Sequence, residues 1–284
     1  MPADKSKPNT PQIDTHFHVF FAGKAVPGAR YVPGYDASRS AWQAAAAPCG
    51  VTRGVLVQTS FMGTDNRLLL AQLAAQPDHL RGVAVVSPDA TRATLQPMHD
   101  LGVRGIRLNL AGASHDMTAW ASATLLWDAM LARGWHLELH TDGGALPAVL
   151  ACLPEALPVV VDHFGKPQQA TLHDATFSAL IRRSRKATTT HGVPLVHVKL
   201  SAAYRLGGLN PATLAHLWLN ELGPAALVWG SDWPCTNHEA FASYSSLHGA
   251  LHDWLGDQPQ ALHAILSDNP ARLYWPSVRT PVNP

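Results

Sequence analysis

Two histidines stand one residue apart in the apolar stretch "IDTHFHVF", at His16 and His18. Side chains two apart in a strand project to the same face, so this pair can present two imidazoles to one site. Two further histidines and an aspartate sit in similar settings: His140 in "WHLELHT", His163 in "VVDHFGKP" and Asp232 in "LVWGSDWP". Such a set supports two chemistries. His16, His18, His140 and Asp232 form a ligand set for Zn²⁺ or a similar divalent ion, with a coordination position left for water. Without an ion, Asp232 can take a proton from water and a histidine can donate to a developing oxyanion.

The other polar candidates suit an anion. Arg107 and Asn109 share a face in "VRGIRLNL", and the planar guanidinium fork pairs with carboxylates. Ser60, Tyr204 and Arg205 close other apolar runs. Lys199 shares parity with Ser201, and reads equally as a site residue or as a packed lysine paired with a carboxylate. Arg104 is odd relative to Arg107, which predicts a structural ion pair on the helix side. Asp162 precedes His163, so it is expected to point away from the site.

Elements must bring these groups together. Eight short apolar runs recur, at 12–20, 53–60, 81–88, 103–110, 135–141, 157–165, 194–202 and 226–234. Between them lie segments of helical period such as 66–76 and 117–134. Runs this apolar suit strands covered on both faces, as in a parallel sheet, and each parallel crossover needs a dozen or more residues, usually a helix. Eight such units in 284 residues predict a (β/α)₈ TIM barrel, distorted, with its site at the C-terminal ends of the strands. The candidate residues fall at those ends. The stretch 21–48 is expected to be a loop at the same face, and no G-x-G-x-x-G follows the first strand to suggest a dinucleotide fold.

Composition narrows the function classes. A net charge of +1 with 14% charged residues gives no basic groove for nucleic acid and no membrane-binding face. No apolar run reaches the roughly 18 residues of a membrane span. Residues 1–11 are polar, lack the apolar middle of a signal peptide, and are expected to be a disordered lead-in to one domain over 12–284. Three separated cysteines, Cys49, Cys152 and Cys235, argue against a disulfide framework and agree with a cytoplasmic protein. Oligomeric state is not legible.

The motifs "IDTHFHVF", "VLVQTSFMGTDN", "GVRGIRLNL", "VVDHFGKP", "VKLSAAYR", "LVWGSDWP" and "SDNPARLY" occur in an order that resembles the amidohydrolase superfamily, in its amidohydrolase-related branch. Within it the chain is most similar to 2-pyrone-4,6-dicarboxylate hydrolases and related lactonases. That resemblance implies a hydrolase opening a small, carboxylate-bearing lactone, with Asp232 activating water and His16, His18 and His163 around the scissile carbonyl. It also implies that Tyr31, Ser60, Arg107 and Arg205 hold substrate carboxylates. Two positions depart from the pattern: Ala113 stands where an arginine is expected, and His140 where a tyrosine is expected. The lactonases of this type work without a metal, whereas metal-dependent members of the superfamily use a fifth-strand histidine. The cofactor expectation is therefore none, or one divalent ion such as zinc. A metal-dependent decarboxylase of a small aromatic acid is the alternative on the same fold.

Overall fold

A computed structural model describes residues 10–185 and 193–276. Of the expected lead-in, residues 1–9 lie outside the described part, and Thr10 and Pro11 run half-buried into the first strand. Eight strands form one sheet in sequential order: β1 Gln12–Phe17, β2 Val51–Val57, β3 Leu80–Ala84, β4 Val103–Asn109, β5 His136–His140, β6 Val159–Val161, β7 Val196–Ser201 and β8 Leu227–Gly230. All seven neighbouring pairs are parallel. The sheet closes on itself through a parallel bridge between Phe17 and Trp233, with Asp232 N donating to the His16 carbonyl at 2.8 Å and His18 N to the Trp233 carbonyl at 2.8 Å. The predicted (β/α)₈ barrel is thus present. Its distortion is concentrated at the β1 end, where the register to β2 slips between Asp14 and Phe17.

The helices follow the strands in turn: α1 Arg39–Ala46, α2 Arg67–Ala75, α3 Arg92–Asp100, α4 Thr118–Ala121, α5 Thr124–Leu131, α6 Leu146–Ala151, α7 Ala175–Ser184, α8 Pro211–Leu222, α9 Tyr244–Leu255, α10 Pro259–His263 and α11 Asn269–Tyr274. Two expectations need correction. The stretch 21–48 is a loop only as far as Ser38, whose hydroxyl accepts the Ala41 N–H at 3.2 Å and caps α1. That helix carries Trp42 inward, where its ring stacks on Phe17 at 4.0 Å. The segment 117–134 is two helices, because the chain turns at Ser122 and Ala123.

Buried apolar side chains of the strands and helices fill the layer outside the barrel. Inside it, Val55, Val57, Val83 and Val160 pack with Leu273 and Tyr274 of α11. Each such valine contributes about 1.5–3 kcal/mol on burial. Tyr274 also meets His136, the first residue of β5, edge-on. The last helix therefore stoppers the N-terminal end of the barrel. The opposite end is left for chemistry.

Candidate active site

The interior changes character above the valines. Glu138, Asp162, Lys199 and Arg107 are all buried there. Lys199 Nζ donates to Glu138 Oε2 and lies 3.3 Å from Asp162 Oδ1. Arg107 Nη2 donates to Asp162 Oδ2 at 3.0 Å, and its Nε is 3.4 Å from Glu138 Oε1. Two cations and two carboxylates thus interlock in a water-poor space. Burial, then the Asp162 charge, pushes the Glu138 carboxyl up to about 7 against the pull of Lys199 and Arg107. Burial also opposes ionisation of Asp162, but Lys199, His16 and Arg107 together hold it well below the usual carboxylate range.

This places Asp162 differently from expectation. It points inward, not toward the helices. Strand β6 stops at Val161, and His163 takes a left-handed φ of 52°. The turn breaks the alternation, so neighbouring residues both reach the interior. Lys199 is the packed lysine paired with carboxylates. Arg104 caps carbonyls, donating to His99 O at 3.0 Å and Val103 O at 2.8 Å, in place of the expected ion pair.

His16 stands directly on this layer. Its Nδ1 is 3.1 Å from Lys199 Nζ and 3.2 Å from Asp162 Oδ1. Burial and the Lys199 charge hold its pKa near 3, so the ring is neutral at ordinary pH. Lys199 can donate to a bare Nδ1 and Asp162 can accept from a protonated one, so the layer beneath accommodates either neutral tautomer. The ring fits so closely because β8 offers a glycine beside it: a Cβ on Gly230 would lie 2.6 Å from the His16 Cβ. His18 is fixed by its Nδ1, 2.7 Å from the Val57 carbonyl, which makes Nδ1 the donor and leaves Nε2 as a lone pair.

Three atoms now converge. His16 Nε2 and His18 Nε2 are 3.3 Å apart, and Asp232 Oδ1 lies 3.4 and 3.5 Å from them. Ligands at 2.0–2.1 Å around a tetrahedral ion sit roughly 3.3 Å from one another. The three donors therefore fit a divalent cation. His140 is not among them. It groups with Asp162 and His163, its ring edge-on to His163 at 4.6 Å. The structure gathers three of the four expected ligands.

Asp232 is held from behind. Its Oδ2 accepts the Tyr204 hydroxyl at 2.8 Å and Arg205 Nε at 3.0 Å. Burial pushes this carboxyl up, and His163, Arg205 and His18 more than offset it, leaving it well below the usual range. A left-handed φ of 56° turns the side chain inward, a region aspartate tolerates better than most residues. Below it, the buried Asp14 ties β1 to β8 by accepting Ser231 N at 2.9 Å and Ser231 Oγ at 2.7 Å, with Trp42 Nε1 at 2.9 Å.

His163 Nδ1 is 2.9 Å from Ser201 Oγ, which also accepts the His163 backbone N–H at 3.3 Å. With the Ser201 hydroxyl proton given to Nδ1, the ring proton sits on Nε2. Among the described residues that Nε2 has no hydrogen-bond partner, although the residue is 1% exposed. Both ring nitrogens of the buried His140 are likewise without a partner among the described residues. Burial, then neighbouring cationic groups, holds His140 neutral; burial does the same for His163 against the pull of Asp232 and Asp162.

Above these groups opens a cavity of about 270 Å³. Of the expected substrate contacts, Tyr31, Ser60, Arg107, Asn109, His140 and Arg205 line it, together with His18, His163 and Asp232. His16 lies beneath the floor, and Tyr204 acts from behind Asp232. The lining also includes residues that sequence reading did not select, notably Arg30, Thr59 and Asn237. These sit in loops where no periodicity marks a facing side.

A parallel barrel with paired imidazoles at the end of its first strand and an aspartate after its last defines an amidohydrolase-type hydrolase. The amidohydrolase family model matches residues 13–275, and the chain belongs to that family. It is 30% identical to a 2-pyrone-4,6-dicarboxylate hydrolase of Comamonas testosteroni, covering 93% of this chain and 90% of that one. It is 26% identical to a 4-sulfomuconolactone hydrolase of Hydrogenophaga intermedia, covering 92% and 88%. Among solved structures, a candidate 2-pyrone-4,6-dicarboxylic acid hydrolase of Pseudomonas putida superposes with a TM-score of 0.81 at 34% identity, over 96% of this chain and 100% of that one. A candidate of the same activity from Acinetobacter baumannii, with citric acid bound, gives 0.79 at 28% identity, over 93% and 99%.

Proposed function

We propose that this protein hydrolyses a small, carboxylate-bearing lactone, with Asp232 as the base that activates water. The observation that carries this reading is the division of labour within one carboxylate. Oδ2 is saturated by Tyr204 and Arg205, while Oδ1 faces His16, His18 and the cavity. A carboxylate held ionised in this way can take a proton from a water beside Oδ1. Water oxygen adds to the lactone carbonyl carbon. His163 Nε2–H donates to the oxygen as it becomes anionic. The ring C–O bond then breaks, and the departing oxygen takes the proton from Asp232. The product is an open hydroxy or enol acid, and Asp232 is restored.

A divalent ion on His16, His18 and Asp232 would acidify the water and polarise the carbonyl. The chain's own residues orient the substrate in either case. Tyr31, Ser60 and Asn109 offer neutral hydrogen bonds to its carboxylates, and Arg107 and Arg205, each paired with a buried carboxylate, line the floor. His140, unpartnered and beside His163, is placed to hydrogen-bond the substrate. The lactone-hydrolase relatives and the citric acid in one of them support a small polycarboxylate substrate. One domain over 12–284 carries the site. Three free cysteines fit a cytoplasmic setting, and no helix among the described residues is long and apolar enough to cross a membrane.

The test is hydrolysis of a panel of 2-pyrone and muconolactone carboxylates by the wild type and Asp232→Asn. A fall in kcat of roughly 10²–10⁴ is expected in the variant, with thermal unfolding showing that it folds. Turnover near the wild-type rate overturns the assignment.

A further inference from the structure

Three guanidinium groups line the cavity: Arg30, Arg107 and Arg205. Two are already neutralised. Arg107 is paired with Asp162 and Glu138, and Arg205 with Asp232. Arg30 is different. It comes from the loop between β1 and α1, and its Nη1 donates to the Ala111 carbonyl at the end of β4. No carboxylate of the described residues pairs with it, and the remaining guanidinium N–H groups are uncommitted. The loop that carries it is pinned at its base by reciprocal Phe20–Ala37 backbone bonds and farther along by Val26 N to the Phe61 carbonyl at 2.8 Å. The β4 loop leaves space for it: a Cβ on Gly112 would lie 2.9 Å from Arg30 Nη1. Asp142 accepts Gly112 N at 2.9 Å and faces His115, and forms no ion pair with Arg30.

We infer that Arg30 is the anion-recognising residue of this cavity, taking a ring carboxylate of the lactone on its free N–H pair. A guanidinium already balanced by a buried carboxylate adds little net attraction for a second anion. An unbalanced one at the rim supplies both charge and a planar fork. Its hold on the Ala111 carbonyl orients that fork without consuming it. The inference rests on the lactone-hydrolase reading for the identity of the ligand, but not for the anion site itself.

Two measurements separate the cases. In the first, kcat and KM are determined for 2-pyrone-4,6-dicarboxylate and for unsubstituted 2-pyrone with the wild type, Arg30→Met and Arg30→Lys. Loss of one charge-assisted pair should raise KM for the dicarboxylate by roughly tenfold or more. The rise should exceed that for the uncharged lactone, fall on KM more than on kcat, and be partly recovered by Arg30→Lys. An equal effect on both substrates would mean that Arg30 only props the loop, and overturns the inference. In the second, citrate binding is titrated calorimetrically. Arg30→Met should weaken it at least about tenfold, and unchanged binding overturns the inference. If no lactone is turned over at all, the functional reading fails while the citrate titration still decides the role of Arg30.

Discussion

The Tyr204 hydroxyl donates to Asp232 Oδ2 at 2.8 Å, on the side of the carboxylate turned away from the cavity. It therefore stabilises the charged form of the proposed base and leaves Oδ1 free on the cavity side. Tyr204→Phe removes this donor and leaves Arg205 as the remaining partner on that oxygen. The Asp232 carboxyl should then titrate higher, because a hydrogen bond to the charged form is lost. A pH–rate profile should show the acid limb of kcat/KM moved upward, with the plateau lowered by roughly three- to thirtyfold, the cost of about 0.7–2 kcal/mol for such a bond. An unmoved acid limb would show that Tyr204 serves packing alone.

Lys199 holds two carboxylates and touches His16 from below. Lys199→Met keeps the volume but leaves Glu138 and Asp162 sharing only Arg107. Breaking one member of a buried charge network costs about 3–5 kcal/mol. Urea unfolding should report a loss of that order, larger at neutral pH than at pH 5, where Glu138 takes up a proton and relieves the imbalance. A loss below about 1 kcal/mol would mean that water compensates the pair.

Stability should fall on the acid side. His16 titrates near 3, and His197 and His248 near 4, whereas an unfolded histidine takes its proton near 6.5. Each depressed group stabilises the fold fully above pH 6.5, and that contribution is lost as pH drops toward the folded value. The slope is about 1.4 kcal/mol per pH unit per group. Glu138, raised to about 7, acts in the opposite sense: its contribution is present below the unfolded value near 4.5 and lost as pH rises through 7. Tm measured from pH 4 to 9 should therefore peak near neutrality and fall steeply below pH 6. A flat acid limb would contradict the buried neutral histidines.

Zinc titration of chelator-treated protein should show one ion per chain, with affinity falling in acid, where protons compete with the ion for its imidazole and carboxylate ligands. His18→Ala should abolish this binding and His140→Ala should retain most of it, since His140 lies outside the three-atom cluster. Equal losses in both variants would return His140 to the ligand set.

How far the sequence discloses this site depends on where the chain stays regular. The rhythm of apolar runs located all eight strands, and parity alone placed His16 with His18 and Arg107 with Asn109. Parity failed where strands end. The apolar run 157–165 continues through a turn with left-handed residues at His163 and Phe164, so Asp162 and His163 face inward together. At β1, beside the slip in register, Asp14 meets Trp42 and Ser231 while His16, two residues on, faces the barrel interior. Glu138 was visible as a charge between leucines in "HLELH", in phase with His140, and is the one buried carboxylate that alternation could have identified. Arg30 and the partition of His140 away from His18 depend on how loops and strand ends meet across the barrel, which no local pattern encodes.

The bond from Asp14 to Ser231 spans 217 residues. The first strand and the residue just after it supply two of the three convergent donors, and the turn after the last strand supplies the third. During synthesis, His16 and His18 leave the ribosome long before Asp232 exists. The three convergent groups can therefore meet only when the turn after the eighth strand reaches the end of the first, in the same contact that closes the barrel.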